Sequence, residues 1–153
     1  MQVRRSLFSR LSSAKGTAIL ETAVVLPLVV LVSIGIFEFG RAYQTWQVLT
    51  NAAREGARVA VLPNPSAGSV EARVHEFMQS GQLTNEASAT VSVDRNSSVS
   101  IGSGTATASV VTVNYPFNFV VLNPIAQLVA SGSALGGAPI TITASAAMRN
   151  EAQ

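Results

Sequence analysis

The sequence predicts an α+β protein. A long N-terminal helix, transmembrane over its first half, is followed by a small domain with an antiparallel sheet of about four strands and one or two short helices. Three observations carry that expectation. Residues 17–37 form a run of 21 residues with one charged side chain, Glu21. Nothing after that run breaks helical periodicity until Pro63. From Ala87 onward the apolar period changes from helical spacing to two.

The order of segments follows from charge and length. Residues 1–16 hold Arg4, Arg5, Arg10 and Lys15 and no acid, whereas residues 41–153 balance six basic against six acidic side chains. The basic character therefore belongs to the leader, which argues against nucleic-acid binding and places the N-terminus on the cytoplasmic side. As a helix, residues 17–37 would rise about 30 Å, the thickness of a hydrocarbon core. We accordingly expect a basic cytoplasmic leader (1–16), a transmembrane helix (17–40), a periplasmic continuation of that helix (41–62) and an extracytoplasmic α+β domain (63–153).

Glu21 requires a partner or a role. A carboxylate inside hydrocarbon costs roughly 2.5–3.5 kcal/mol on insertion scales. Its helical neighbours Thr17, Ala18, Val24 and Val25 include no cation. A cut between Gly16 and Thr17 would create an α-ammonium four residues before it, on the same chain or on an adjacent copy. The alternatives are a headgroup-hydrated or protonated acid. An ordinary secretory signal is disfavoured, because its apolar core is shorter and free of acids.

Pro27 removes one helical hydrogen bond and is expected to kink the span. Glu38 and Arg41, three apart, can pair, and Tyr43 and Trp46 stand where an aromatic belt belongs. Ala42, Trp46, Leu49, Ala53, Gly56 and Ala60 then form one narrow stripe of mostly small side chains. That stripe suits packing on the chain's own outer domain, packing between subunits, or both at different levels. Arg54, Glu55 and Arg58 lie off it.

The outer domain begins at Pro63-Asn64-Pro65. Ser69–Gln79 reads as an amphipathic helix carrying Val70, Val74, Phe77 and Met78, with Gly81 as its stop. Ala89, Val91 and Val93 alternate in a first strand; Asp94–Ser98 reads as a turn, Val99 and Ile101 as a second strand. Residues 106–117 form the strongest strand, with Val111, Val113, Tyr115 and Phe117 on one side. Asn123-Pro124 opens a short helix, with Ile125, Leu128 and Val129 on one face and Gly132 as its stop. Beyond Gly136-Gly137 a last strand sets Ile140, Ile142, Ala144, Ala146 and Met148 on one face.

No catalytic chemistry is legible. The chain has no cysteine and one histidine, His75, which reads as a solvated surface residue. No phosphate loop, activated serine setting or metal-ligand cluster stands out. We expect no enzyme, no cofactor, no metal and no small-molecule substrate.

Three blocks together carry a resemblance: Glu21/Ala23/Pro27, then Gly35/Glu38/Phe39/Gly40/Arg41, then Asn51–Arg58. With the Gly16, Thr17 and Glu21 pattern of a type IV prepilin signal, this resembles the TadE-like minor pseudopilins of tight-adherence (Tad/Flp) pili. Thr22 stands where processed members favour an aromatic. The resemblance implies a pilin-like fold and a single-pass protein of the bacterial inner membrane. It also implies a prepilin peptidase acting at Gly16-Thr17, contacts with other pilins and the pilus assembly platform, and a structural role in assembly or priming. The competing classes are an uncleaved membrane-anchored envelope binding module and a secreted domain with an ordinary cleaved signal.

Overall fold

A computed structural model describes residues 14–129 and 139–150. The leader up to residue 13, Gly132 and Gly136-Gly137 lie outside the described residues, as do the side chains of Ile125, Leu128 and Val129. The elements are α1 (Ala14–Ala60), α2 (Ser69–Ser80), a 3-10 turn (Glu86–Ser88), β1 (Thr90–Ile101), β2 (Gly104–Phe117), α3 (Leu122–Val129) and β3 (Ile140–Arg149). The fold class is the expected one, a long apolar helix followed by short helices and an antiparallel sheet. The chain divides into two compact units, residues 1–39 and 40–153.

In the first unit α1 runs through Pro27 as one helix. Its apolar side chains point outward: Ile19, Leu20, Val24, Leu28 and Ile36 are 61–71% exposed. Two of its hydroxyls are turned back onto the helix, Thr22 Oγ1 donating to the Ala18 carbonyl and Ser33 Oγ to that of Val29, both at 2.8 Å. A hydroxyl bonded this way asks nothing of an apolar surrounding.

In the second unit the remainder of α1 lies in the core. Leu49, Ala52, Ala53, Ala57 and Ala60 are buried with Val70, Val74 and Met78 of α2 and Val111, Val113, Tyr115 and Phe117 of β2. Gly56 marks the closest approach: a Cβ there would lie 2.5 Å from Val74 Cγ2 and 3.2 Å from Val111 Cγ1. Only hydrogen fits between that helix and two branched side chains.

The sheet has three strands in the order β1-β2-β3, all antiparallel, where about four were expected. The difference lies at Asp94–Ser98, which is no turn but part of one continuous strand. Asp94 pairs with Val110 and Ser97 with Ala108, so Arg95 and Asn96 together oppose Ser109 as a β-bulge. Asn150 stabilises this distortion. Its side chain accepts from Ser109 Oγ and donates to the Arg95 carbonyl, both at 2.8 Å, and its amide donates to the Thr107 carbonyl at 3.0 Å. The true reversal is the two-residue loop Gly102-Ser103, with Gly102 at φ 59°. Register puts Val113 opposite both Val91 and Ala144, and Val111 opposite Val93 and Ala146, so the expected apolar faces meet.

α2 ends where expected, by a different device. Gly81 has an ordinary φ of −78° and Gln82 takes the left-handed position at φ 59°. Gln82 N–H donates to the Gln79 carbonyl and Leu83 N–H to that of Met78, a Schellman closure. Glycine is needed at 81 because Val48 Cγ1 would sit 2.5 Å from a Cβ there. α3 starts at Leu122, one residue before the expected cap.

Candidate processing and assembly helix

The residues singled out in the sequence separate into two sets along α1. Gly16, Thr17, Glu21 and Pro27 lie in the first unit, where Thr17, Glu21 and Pro27 are exposed. Leu49, Ala53, Gly56 and Ala60 lie in the second unit and are buried in the chain's own core. The small-residue stripe therefore serves packing within the chain from Leu49 onward. Trp46 departs from it: the indole is 43% exposed and tilts against Tyr43 with ring centroids 5.9 Å apart, while Thr45 is buried in its place. The stripe repeats every seven residues against about 7.2 for two helical turns, a drift of only about 20° per repeat, so Trp46 is a local exchange with Thr45 rather than the result of drift.

The two carboxylates near the apolar run have opposite surroundings. Glu38 is fully buried, the one acidic side chain of which that is true among the described residues. Glu21 is exposed on a surface of apolar side chains, with Val24 70%, Leu20 66% and Val25 48% exposed around it. In water such a carboxylate is hydrated at no cost; in hydrocarbon it needs a cation brought to it. Arg41 is half-buried, and its guanidinium lies over the Phe117 ring, 5.3 Å from the centroid.

A charged cluster that the sequence did not reveal joins α1 to α2. Glu55 Oε1 lies 2.6 Å from Arg58 and 2.9 Å from Arg73, and Arg73 reaches Glu76 at 2.8 Å. Hydrogen bonds from Arg58 and then Arg73 hold the Glu55 carboxyl at about 2, well below its ordinary 4.5. The Glu55–Arg58 spacing was visible in the sequence; Arg73, 18 residues away, was not. No group of His, Cys, Asp or Glu among the described residues is arranged to hold a metal ion.

Among the described residues one helix, Gly16–Ala60, is long and apolar enough to cross a membrane; it lies near the N-terminus, which fits a single-pass protein. The decisive comparison concerns that same segment. Residues 16–58 match the family model described as TadE-like protein. The resemblance read from the three blocks is thus shown over the segment that contains them. The TadE-like match opens at Gly16 and closes at Arg58, within the last turn of α1, so it covers both the outward apolar half and the inward small-residue half of that helix. Comparisons with curated proteins and with solved structures give no match. The match covers 43 of the chain's 153 residues, all of them within α1.

Proposed function

We propose that this chain is a minor pseudopilin acting in the assembly or priming of a Tad/Flp-type pilus, without catalysis of its own. Residues 17–40 anchor it in the bacterial inner membrane, with the leader cytoplasmic and residues 41–153 on the periplasmic side. A prepilin peptidase cuts between Gly16 and Thr17. The amine so created pairs with Glu21 of the same chain or of a neighbouring pilin, and the outward apolar face of residues 18–37 serves first lipid and then lateral packing in the assembly. The observation that carries this reading is Glu21 itself, exposed among apolar side chains within a segment that matches the TadE-like family. Residues 1–16 bring four positive charges and no negative one, so their removal lowers the formal net charge from +2 to −2.

N-terminal sequencing of the membrane-extracted protein tests the reading. It predicts Thr17 as the first residue. Met1 would instead indicate an uncleaved anchor, and a start beyond Phe37 an ordinary secretory signal. Glu21→Ala tests the pairing separately: co-purification with partner pilins should fall at least several-fold, and unchanged recovery would remove Glu21 from the interface.

A further inference from the structure

The sheet of the second unit ends in two edges, β1 and β3, and they are built differently. β1 is blunted in ways that keep an edge from pairing. The bulge at Arg95-Asn96 breaks its ladder, and Asp94 and Arg95 put charge on it. β3 carries neither device. Its register against β2 is unbroken from Arg149 opposite Ala108 to Ile140 opposite Phe117. Residues 140–148 contain no charged residue, no glycine and no proline. A strand of this kind is a template for another strand.

One hydrogen bond fixes which backbone groups are free. Asn150 continues the β2–β3 register opposite Thr107, and its N–H donates to the Thr107 carbonyl at 3.0 Å. The N–H and C=O of a strand residue point to the same side, and the side alternates along the chain. The even-numbered residues of β3 therefore face β2. Thr141, Thr143, Ser145 and Ala147 direct theirs to the open edge, where among the described residues no hydrogen bond meets them.

The two faces of β3 decide which strand fits there, because pairing must keep like faces level. Ile140, Ile142, Ala144, Ala146 and Met148 lie on the core face, while Thr141, Thr143, Ser145 and Ala147 are exposed on the other. A second β3, antiparallel with its two-fold axis at Ala144, matches both faces. On the core face Ala144 meets Ala144, Ile142 meets Ala146, and Ile140, 45% exposed, meets Met148. On the other face Thr143 meets Ser145 and Thr141 meets Ala147, and these are the residues whose backbone groups are free. Arg149 falls beyond Ile140 of the second copy, so the two arginines stand at opposite ends. β1 of another copy fits less well, since it would set a bulge and two charges against an unbroken neutral strand.

We propose that the second unit pairs with a second copy of itself through β3, joining the two sheets edge to edge in the order β1-β2-β3-β3-β2-β1. The contact uses residues of this unit alone and depends on neither the span nor its processing.

The chain lacks cysteine, so disulfide formation in the full-length protein reads the register. Cα atoms of a hydrogen-bonded antiparallel pair lie about 5.5 Å apart, inside the roughly 4.4–6.8 Å that a disulfide spans. Thr141→Cys and Ala147→Cys, placed on differently tagged copies, should cross-link to each other several-fold more than either does to itself. Ser145→Pro, added to both copies, removes an N–H from the open edge and no bond within the sheet. It should abolish the cross-link and leave circular dichroism and the thermal transition as in the parent. Should proline weaken the unit itself, Ser145→Lys sets like charges about the two-fold axis and should abolish the cross-link without touching the backbone. Equal cross-linking in mixed and unmixed samples shows collision without register and overturns the proposal. No cross-link in a mixture with parental circular dichroism overturns it as well, and so does a cross-link that survives the substitutions at 145.

Discussion

Before Gly40 and after it, α1 solves opposite problems with the same backbone. Before it, the large side chains Ile19, Leu20, Val24 and Leu28 all stand exposed. After it, the inward positions are mainly small, with Leu49, Ala52, Ala53, Gly56, Ala57 and Ala60 enclosed by α2 and β2. The contrast shows that apolar content alone does not say where a helix is buried. The first half presents no continuous polar face and leaves its large apolar side chains exposed. The second half has a polar side, carrying Arg54 and the Glu55 cluster, and a narrow seam that admits other elements closely. Glycine separates the two halves most clearly. A Cβ at Gly35 or Gly40 would meet nothing within 4 Å, whereas at Gly56 it collides with Val74.

That contrast can be broken by matched substitutions. The largest effect should come from Leu49→Ala against Leu28→Ala. Leu49 is fully buried, so its truncation should cost about 2–5 kcal/mol of the outer unit's stability in chemical denaturation. Leu28, 61% exposed, should leave that transition within about 0.5 kcal/mol of the parent. Equal effects would show that the two halves are not divided as described.

Gly56→Ala against Gly35→Ala sharpens the comparison. Alanine favours a helix by about 1 kcal/mol over glycine, yet at position 56 its methyl must displace Val74 and Val111, for a net loss of about 1–3 kcal/mol. At position 35 the helical gain stands unopposed. Thermal melts of the reconstituted variants should move Gly56→Ala down and leave Gly35→Ala unchanged or slightly raised.

A smaller effect concerns the polar side of the outer half. Because folding depresses the Glu55 carboxyl from 4.5 to about 2, its contribution is complete above the unfolded value and disappears as pH falls through the folded one. Arg58 and Arg73 are 60% and 39% exposed, which limits the contribution to about 1 kcal/mol or less. Stability measured from pH 5 down to pH 2 should therefore fall less steeply in Glu55→Gln than in the parent. Identical slopes would place the ion pairs among those that add nothing.

Much of this arrangement was legible in the sequence because it depends on periodicity. The apolar run, the amphipathic Val70/Val74/Met78 face and the alternating residues of β2 and β3 each follow from spacing alone. The bulge was not legible, since Asp94-Arg95-Asn96-Ser97-Ser98 carries turn chemistry locally. What keeps it within a strand is Asn150, 55 residues away, whose amide holds the Arg95 carbonyl. The same holds for Arg73 reaching Glu55 and for Gly81, a helix stop whose small size is required by Val48. Within the candidate site, Glu21 stood out by the lack of a cation at helical spacing, whereas the burial of Glu38 has no local sequence signal.

Residues 40–153, expressed without the span, test the division of α1 most directly. The outer half draws its stability from α2 and the sheet, so this fragment should be soluble and show one cooperative thermal transition with the circular dichroism of mixed helix and sheet. A fragment that aggregates or melts without a cooperative transition would contradict the account, because the outer unit would then owe its fold to the apolar half of the helix.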